Sequence, residues 1–445
     1  MSAAANVSEP LSSSVMPIAL VIGYVWPEPD SSAAGSRMMQ LIRAFQSQGY
    51  RLVFASPAEL SSHAVALEQH QVEAQRIELN ASSFDHWVAG LQPALVMFDR
   101  FMMEEQFGWR VEKHCPNAVR VLDMEDVHSL REARWKAVKQ QPTESLAMPV
   151  LTDEQVFTEL AIREVASIWR CDLTLVISEA EMDWLQQRFQ LPASLLSYTP
   201  FMEGIGESGV ERPAYPQRQG FVCIGNFRHA PNWDAVRLLK ASIWPGIRQR
   251  LPGAELHVYG GYPPKKATDL HNPKQGFLVK GWADDAQYVI QQARVMLAPL
   301  RFGAGLKGKL IDAAVCGTPA VTTPIGAEGM YGAEAITEPG ADAIHTAVAP
   351  AVICDELDSF VEQAVRLYTQ PDDWQALADI GPELIPKRFD VVEHSQRLMD
   401  RIGQLQTDIK QHRQAHFYGM MLRHHSMKST HYMAQWIEAK NRLLE

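Results

Sequence analysis

Short apolar runs alternate with amphipathic, helix-length segments along most of the chain. Between two such runs lies SRMMQLIRAFQSQ, whose apolar side chains share one side of a predicted helix that Gly49 is placed to end. Buried strands alternating with helices indicate βαβ units and parallel sheets. The runs predicted as strands in the first half are IALVIGY (18–24), RLVFAS (51–56), ALVMFD (94–99), VRVLD (119–123) and LTLVIS (173–178).

The alternation restarts after a segment rich in proline and polar residues, at 211–219, which predicts a linker. The second set of predicted strands is FVCIG (221–225), LHVYGG (256–261), GFLVKG (276–281), VMLAPL (295–300) and PAVTT (319–323). Two such halves predict two Rossmann-like domains facing each other across a cleft, with ligands outside the carboxyl ends of the strands. The predicted boundaries are a disordered N-terminus at 1–16, an N-terminal domain at 17–210 and a C-terminal domain at 220–387.

The last part of the chain is predicted to be helical. A crossover helix is expected at 388–405, and the tail at 406–445 holds five of the fifteen histidines together with several aromatic residues. These histidines have no carboxylates or cysteines at ligand spacing, so a docking helix or a partner surface is favoured over a metal site. The tail is therefore the candidate contact for a protein partner or a membrane surface.

Composition narrows the class of protein. The formal net charge of −11 argues against general nucleic-acid binding, although it leaves room for a small basic pocket. Five widely spaced cysteines favour a reducing compartment over a disulfide framework. The N-terminus does not have the pattern of a secretory signal, and no apolar run is long enough to cross a bilayer. We therefore expect a cytoplasmic protein, with the inner face of the membrane as a possible place of contact.

The segment RFGAGLKGKLIDAAVCG (301–317) places two lysines where a helix begins. Lysine at a helix N-terminus is unfavourable by about 0.3–1 kcal/mol unless an anion compensates, so Lys307 and Lys309 suggest a phosphate site. Gly303 and Gly305 let the backbone turn sharply and approach a ligand closely. Asp312, about one turn into the helix, could accept hydrogen bonds from ribose hydroxyls. The alternative is a surface ion pair between Lys309 and Asp312.

The longer stretch PLRFGAGLKGKLIDAAVCGTPAVTTPIGAEGM resembles the donor-binding segment of GT-B nucleotide-sugar glycosyltransferases, in particular the retaining group 1 class (family 4-like). GNFRHAPNWDAVRLL and PGAELHVYGG extend this resemblance over nearly all of 218–330. It implies donor-binding roles for Gly303, Gly305, Lys307, Lys309 and Asp312, and for Glu328 in the Glu-Gly pair.

The segment also departs from the class. Many members have two glutamates spaced by seven residues, whereas here the second position is Asp312 and the first is Ala304. Many have Arg and Lys after the first strand of the second domain; here Asn226 stands near the Arg position, with Arg228 close by. The lysines of the loop are therefore expected to carry more of the diphosphate charge, Lys307 first.

The N-terminal half resembles the acceptor domain of the same class more loosely. SSAAGSRMMQLIRAFQSQGYRL matches the first loop and helix, where the backbone N–H of a glycine meets the donor diphosphate; Gly35 is the match. The sequence SEAE (178–181) predicts a capping box, with Ser178 as N-cap and Glu181 reaching back.

LDMEDVHSLREARWK (122–136) is the most charged point at a strand end. Related enzymes carry a histidine that contacts the donor sugar after a comparable strand, which makes His128 the candidate, with Asp126 beside it. The alternative is a helix N-terminus enriched in acids. Asp99 and Arg100, with Glu104 and Glu105, end another strand; acceptor binding and ion pairing are equally consistent with them.

The resemblance implies transfer of a hexose-type sugar from a nucleotide-diphosphate sugar to an acceptor hydroxyl, with retention of configuration, in polysaccharide or glycoconjugate biosynthesis. It implies neither a cofactor nor a metal held by the protein, with His128, Lys307 and Asp126 as the catalytic candidates. Two alternatives stay open: a sugar-nucleotide epimerase or phosphorylase of the same fold, and a non-catalytic GT-B scaffold subunit.

Overall fold

The computed structural model describes residues 16–141, 145–203, 212–332 and 348–443, with the backbone but not the side chains of 425–428. The disordered N-terminus predicted at 1–16 lies outside the described residues except for Met16, and so does the first residue of the predicted linker.

A parallel sheet of seven strands organises the N-terminal domain, in the order β3-β2-β1-β4-β5-β6-β7. Its strands are β1 (Ile18–Ile22), β2 (Arg51–Ser56), β3 (Val72–Arg76), β4 (Leu95–Asp99), β5 (Val119–Asp123), β6 (Leu173–Val176) and β7 (Leu196–Tyr198). Its helices are α1 (Ala33–Ser47), α2 (Ser83–Leu91), α3 (Phe101–His114), α4 (His128–Val138), α5 (Asp153–Val156), α6 (Glu159–Arg170) and α7 (Glu179–Phe189).

A second parallel sheet, of six strands in the order β10-β9-β8-β11-β12-β13, organises the C-terminal domain. Its strands are β8 (Phe221–Ile224), β9 (Leu256–Tyr259), β10 (Phe277–Gly281), β11 (Val295–Ala298), β12 (Ala320–Thr322) and β13 (Ala351–Ile353). Its helices are α8 (Ala230–Leu238), α9 (Trp244–Arg250), α10 (Lys265–Thr268), α11 (Ala286–Gln292), α12 (Gly308–Val315), α13 (Pro324–Ala327), α14 (Leu357–Thr369), α15 (Pro371–Ala378) and α16 (Gly381–Arg388).

The chain then returns to the N-terminal domain through α17 (Val391–Ala415), which is kinked at Asp408, and α18 (Phe417–Arg442). The first half of α17 buries Leu398 and Ile402 in the same core layer as α1 and β1. α17 begins three residues after the start of the range 388–405 and ends ten residues beyond it. Of the described helices, none is both long and apolar enough to cross a bilayer.

Both faces of the first sheet are buried, as expected for strands covered by helices on each side. In β1, Leu20 and Ile22 belong to one core cluster, whereas Ala19 and Val21 belong to the cluster on the opposite face. The prediction of two Rossmann-like domains with parallel sheets and a helical C-terminal region is confirmed.

Candidate active site

The carboxyl ends of the two sheets meet at a cleft, where two helix N-termini converge. α1 of the first domain and α12 of the second begin side by side: a Cβ atom added to Gly308, the first residue of α12, would lie 2.7 Å from the Cβ of Ala33, the first residue of α1. Only a glycine allows this approach. Each helix start carries partial positive charge and free backbone N–H groups, so the two together favour an anion between the domains.

Gly35 supports the start of α1 in a different way from the prediction. Its backbone N–H donates to the Oγ of the N-cap Ser32, at 3.1 Å, and is therefore already partnered. A Cβ on Gly35 would lie 2.4 Å from the carbonyl oxygen of Glu28. Gly35 thus lets the loop before α1 fold closely over the helix, and the N–H groups of the two residues before it, Ala33 and Ala34, are the ones at the helix start that call for an acceptor.

The loop between β11 and α12 crosses to the other domain at Gly305. This residue has a left-handed backbone, with φ +64°, and a Cβ there would lie 2.9 Å from the Cβ of Asp126. The carbonyl of Gly303 accepts a hydrogen bond at 2.9 Å from Arg134 of α4. Both glycines singled out in the sequence therefore lie at the domain boundary, and Gly305 is required for conformation as well as space.

The two lysines of this segment have different surroundings. Lys307 is buried, its Nζ donates to the carbonyl of Gly305 at 2.5 Å, and the carboxylates of Glu328, Glu181 and Asp126 are near enough to favour its charge. The Nζ of Lys309 donates to the amide oxygen of Asn232 at 2.7 Å. Burial lowers the pKa of both ammonium groups, and no carboxylate among the described residues offsets this for Lys309.

Asn226 and Arg228 follow β8 on the rim of the cleft. The side chain of Asn226 accepts the backbone N–H of Arg228 at 2.9 Å and reaches Ser31 of the other domain at 3.4 Å. The guanidinium of Arg228 lies 3.6 Å from the ring centroid of Tyr262. Asn226 therefore joins the two domains near the start of α1, whereas Arg228 is exposed at the edge.

Asp312 lies on α12, one turn after Lys309, and the two do not form the ion pair considered above. Lys309 bonds to Asn232, and Asp312 has Gln287 as its hydrogen-bond partner. Burial, with the nearby charge of Glu203, raises the pKa of Asp312 to about 7.

Glu328 is paired rather than free. Its two carboxylate oxygens accept hydrogen bonds from Arg134 at 2.7 and 2.5 Å, across the domain boundary. Burial alone would raise the pKa of Glu328, but Arg134 holds it below its ordinary value. In this arrangement Glu328 ties the C-terminal domain to α4, and its expected contact with a donor would need this pair to open or to be shared.

The charged cluster after β5 faces the lysines. His128 is the first residue of α4, and its Nδ1 lies 3.0 Å from the carbonyl and 3.3 Å from Oδ1 of Asp126. Burial opposes charge on Asp126, yet Arg131 and His128 hold the pKa of its carboxyl well below the ordinary value. Burial likewise lowers the pKa of the imidazole, but Asp126 and Glu164 raise it above its ordinary value. The structure therefore presents an ionised Asp126 beside a histidine that readily takes a proton.

The charged residues at the end of β4 form two pairs with different surroundings. Glu104 and Glu105 form ion pairs with Arg170 and Arg163 on α6, respectively. For these two residues the structure therefore favours ion pairing over acceptor binding. Asp99 is buried, accepts the backbone N–H of Tyr24 at 2.9 Å and lies 3.6 Å from Arg100.

Two non-glycine residues at the ends of β4 and β5 have a left-handed backbone: Arg100, with φ +71°, and Glu125, with φ +64°. Burial and the charge of Asp123 raise the pKa of Glu125 well above its ordinary value. Residues held in such conformations cost about 1–3 kcal/mol each and are concentrated at functional sites. Both belong to the charged cluster that follows β4 and β5, where Arg100 lies near Asp99, Asp123 and Glu125.

Glu181 is the site residue that the sequence prediction misassigned. Ser178 is the N-cap of α7 but makes no side-chain capping bond, and Glu181 does not reach back to it. The Oε1 atom of Glu181 instead accepts the N–H of Val127 and the N–H of Gly305, both at 2.8 Å. The capping-box prediction is wrong because these two long-range donors compete successfully for the carboxylate. Burial, followed by the charge of Asp126, raises the pKa of Glu181 to about 7.

Replacing Glu181 with alanine should lower the free energy of unfolding by about 2 kcal/mol, because two buried N–H groups lose their acceptor. The variant Glu181→Gln keeps the Oε1 position and should lose far less. Chemical denaturation of the two variants against the unmodified protein measures this difference, and equal losses would contradict the bridging role.

Two parallel-sheet Rossmann-like domains with an anion-binding geometry between their carboxyl edges define a GT-B fold. Residues 218–370, about a third of the chain, match the model of the family described as glycosyl transferases group 1. No curated protein matches the chain's sequence.

Solved structures support the fold over nearly the whole chain. Sucrose-phosphate synthase from Thermosynechococcus elongatus is 16% identical, covers 88% of this chain and 99% of its own, and has a TM-score of 0.62. HepE from Anabaena, in complex with UDP-glucose, is 12% identical, covers 87% and 100%, and has a TM-score of 0.61. The lipopolysaccharide outer core galactosyltransferase WaaB is 16% identical, covers 87% and 99%, and has a TM-score of 0.54. At these identities the likeness establishes the GT-B fold.

Proposed function

We propose that this protein transfers a hexose-type sugar from a nucleotide-diphosphate sugar to an acceptor hydroxyl, with retention of configuration and without a metal held by the protein. The observation that carries the proposal is the meeting of two helix N-termini at Gly308 and Ala33, with Lys309 beside them. The match of residues 218–370 to the group 1 glycosyltransferases supports the same conclusion.

In this proposal the diphosphate lies between the two helix starts. Backbone N–H groups of Gly308 and Lys309 on one side, and of Ala33 and Ala34 on the other, donate to its oxygens, and the Lys309 ammonium supplies the positive charge. Charge grows on the diphosphate as the bond to the sugar breaks, so preorganised donors stabilise the transition state more than the ground state. Asn226 and Arg228 complete the rim, and Lys307 supports the loop.

The sugar would extend toward the N-terminal domain, where His128 and Asp126 lie. The glycosidic bond to the leaving phosphate breaks, the acceptor oxygen bonds to the same carbon on the same face, and the leaving phosphate takes the proton of the acceptor hydroxyl. A protein nucleophile is not required by this course. Protonated His128, favoured by Asp126, would donate a hydrogen bond to the sugar.

The choice of donor probe follows from the structural neighbours. HepE was solved with UDP and with UDP-glucose, so uridine nucleotides are the first to test here. All five cysteines are buried and free, which favours the cytoplasm as the place of action.

A panel of nucleotide sugars separates this proposal from its alternatives. A glycosyltransferase should release free sugar slowly from its preferred donor without an acceptor, whereas an epimerase would interconvert two nucleotide sugars and a phosphorylase would need inorganic phosphate. A non-catalytic scaffold would consume none of them. A scaffold would also not need the glutamate that many members of the class have at position 304. Here this position is Ala304, which is buried against the apolar core of the first domain. Failure of every donor to turn over, with nucleoside diphosphates bound, would favour the scaffold.

Asp312 gives a pH-dependent test of the ribose contact. Its pKa is raised to about 7, and only the ionised carboxylate is a strong acceptor for ribose hydroxyls. The preference for UDP over its 2′,3′-dideoxy analogue should therefore rise as pH increases through that value, toward about tenfold (1.4 kcal/mol). Calorimetry at pH values on both sides of the pKa measures this ratio, because the phosphates of the two ligands titrate alike.

The variant Asp312→Ala is the control for this prediction. It should bind UDP and the dideoxy analogue with nearly equal affinity at every pH. If the variant keeps the pH-dependent preference, Asp312 supports α12 without touching the ribose.

A further inference from the structure

The last helix, α18, is fixed across the outer helices of the N-terminal domain. Arg423 pairs with Glu112 of α3 at 3.2 Å and donates to the carbonyl of Arg170, the last residue of α6, at 3.3 Å. Further along, Glu438 accepts the hydroxyl of Ser82 at 2.6 Å. These contacts give α18 a defined inner face and leave the opposite face turned to solvent.

That opposite face carries exposed apolar side chains near both ends of α18. Phe417, Met421, Tyr432 and Trp436 lie along one stripe at helical spacing, and their side chains are 67%, 42%, 65% and 60% exposed. Met433, 58% exposed, flanks the stripe. We call this set of residues the tail face. Exposed aromatic and apolar side chains grouped on one side of a surface helix mark a place of contact with a partner or a membrane.

The charge of the tail face is opposite to that of the protein as a whole. The chain carries a formal net charge of −11, yet residues 415–437 contain no aspartate or glutamate. Arg423 belongs to the inner face, but Lys440 places a cation beside the tail face, with its Nζ 5.4 Å from the ring centroid of Trp436. In an α-helix lying on the surface of an acidic protein, this distribution favours an anionic partner. It also disfavours a second copy, because an isologous contact would set the tail face against itself without any carboxylate to pair its cations.

We propose that the tail face docks the protein on the surface of an anionic lipid bilayer. A helix with an apolar face containing Trp, Tyr and Phe and without acidic residues lies in the interface of a membrane, where aromatic side chains sit at the level of the headgroups. Basic residues near an anionic leaflet add electrostatic attraction. α18 would lie flat, with its inner face still bound to α3 and α6, so the protein would be peripheral.

The test measures co-sedimentation of the full chain with vesicles of phosphatidylcholine alone and of an equimolar mixture of phosphatidylcholine and phosphatidylglycerol. Binding is expected only to the mixture and should weaken as salt is added. The double variant Tyr432→Ser, Trp436→Ser should reduce the apparent affinity for these vesicles at least about tenfold. The exposed Tyr288 of α11 provides a matched control, since Tyr288→Ser removes a comparably exposed aromatic ring from the other domain.

A second pair of variants tests charge separately from apolar contact. Gln435 is exposed on the tail face, so Gln435→Glu should weaken binding to the mixed vesicles and Gln435→Lys should strengthen it, with thermal melting unchanged for both. Equal binding to neutral vesicles, or no effect of the aromatic substitutions, would overturn the proposal. A concentration-dependent dimer in sedimentation velocity that the double variant abolishes would also overturn it and assign the tail face to a second copy.

Discussion

Replacement of His128 by alanine is expected to leave the affinity for a nucleoside diphosphate nearly unchanged and to reduce sugar transfer by about two orders of magnitude, or near 2.7 kcal/mol. The reason is the division of the site between the domains. The proposed diphosphate ligands are the starts of α1 and α12 and Lys309, whereas His128 begins α4 and is oriented by Asp126. A calorimetric isotherm with UDP, paired with a turnover assay on the intact nucleotide sugar, measures both quantities.

His257 supplies the control for this experiment. It lies on β9, pairs with Glu255 and has no part in the proposed site, so His257→Ala should retain turnover. A joint loss of binding and turnover in His128→Ala, with the fold intact by circular dichroism, would place His128 among the nucleotide ligands. Unchanged turnover would show that His128 has only a structural role, as the first residue of α4.

His128 and Lys309 lie on different domains and can act on one donor only when the cleft between the domains is closed. Glycines at the domain boundary permit this close approach. A Cβ on Gly329 would lie 2.4 Å from the Oγ of Ser178, much as added atoms on Gly305 and Gly308 would collide with Asp126 and Ala33. At these three points the backbone of the C-terminal domain lies directly against side chains of the first domain. Closure of this kind excludes water from an activated sugar.

The central strands were predictable because their burial on both faces produces runs of apolar residues. β1, β2, β5 and β11 all occur within the predicted runs. β3 was missed because it is an edge strand, VEAQR, with mostly exposed side chains and therefore no apolar run. β7 and β13 were missed because they are three-residue strands at the edges of their sheets, whereas β12, equally short, lies inside its sheet and is buried throughout.

Only those site residues whose location follows from their place after a strand could be predicted from the sequence. Residues placed after a strand, such as Asp126 and Lys307, must lie at the carboxyl edge of a parallel sheet, and the structure brings them near each other. The contacts of Glu181 and Arg134 are set by the other domain, through Gly305 and Glu328, and leave no local pattern in the sequence. The sequence motif at Glu181 indicated a capping box because that motif describes only neighbours within one turn.

The contrast between Lys307 and Lys309 leads to the sharpest prediction for the phosphate site. Lys309→Met should weaken UDP binding by at least about tenfold, or 1.4 kcal/mol, and lower transfer by about a hundredfold, since the charge it meets grows in the transition state. The same substitution should leave the free energy of unfolding unchanged or higher, because it removes a buried ammonium that lacks a nearby carboxylate. Lys307→Met should also lower transfer more than tenfold, but with a loss of stability of at least about 1 kcal/mol, because Glu328, Glu181 and Asp126 lose a neighbouring cation. Calorimetry with UDP and with pyrophosphate, together with chemical denaturation of both variants, measures the two effects. If Lys309→Met binds both ligands normally while Lys307→Met loses both at full stability, Lys307 is the diphosphate ligand and the assignment of the two lysines must be exchanged.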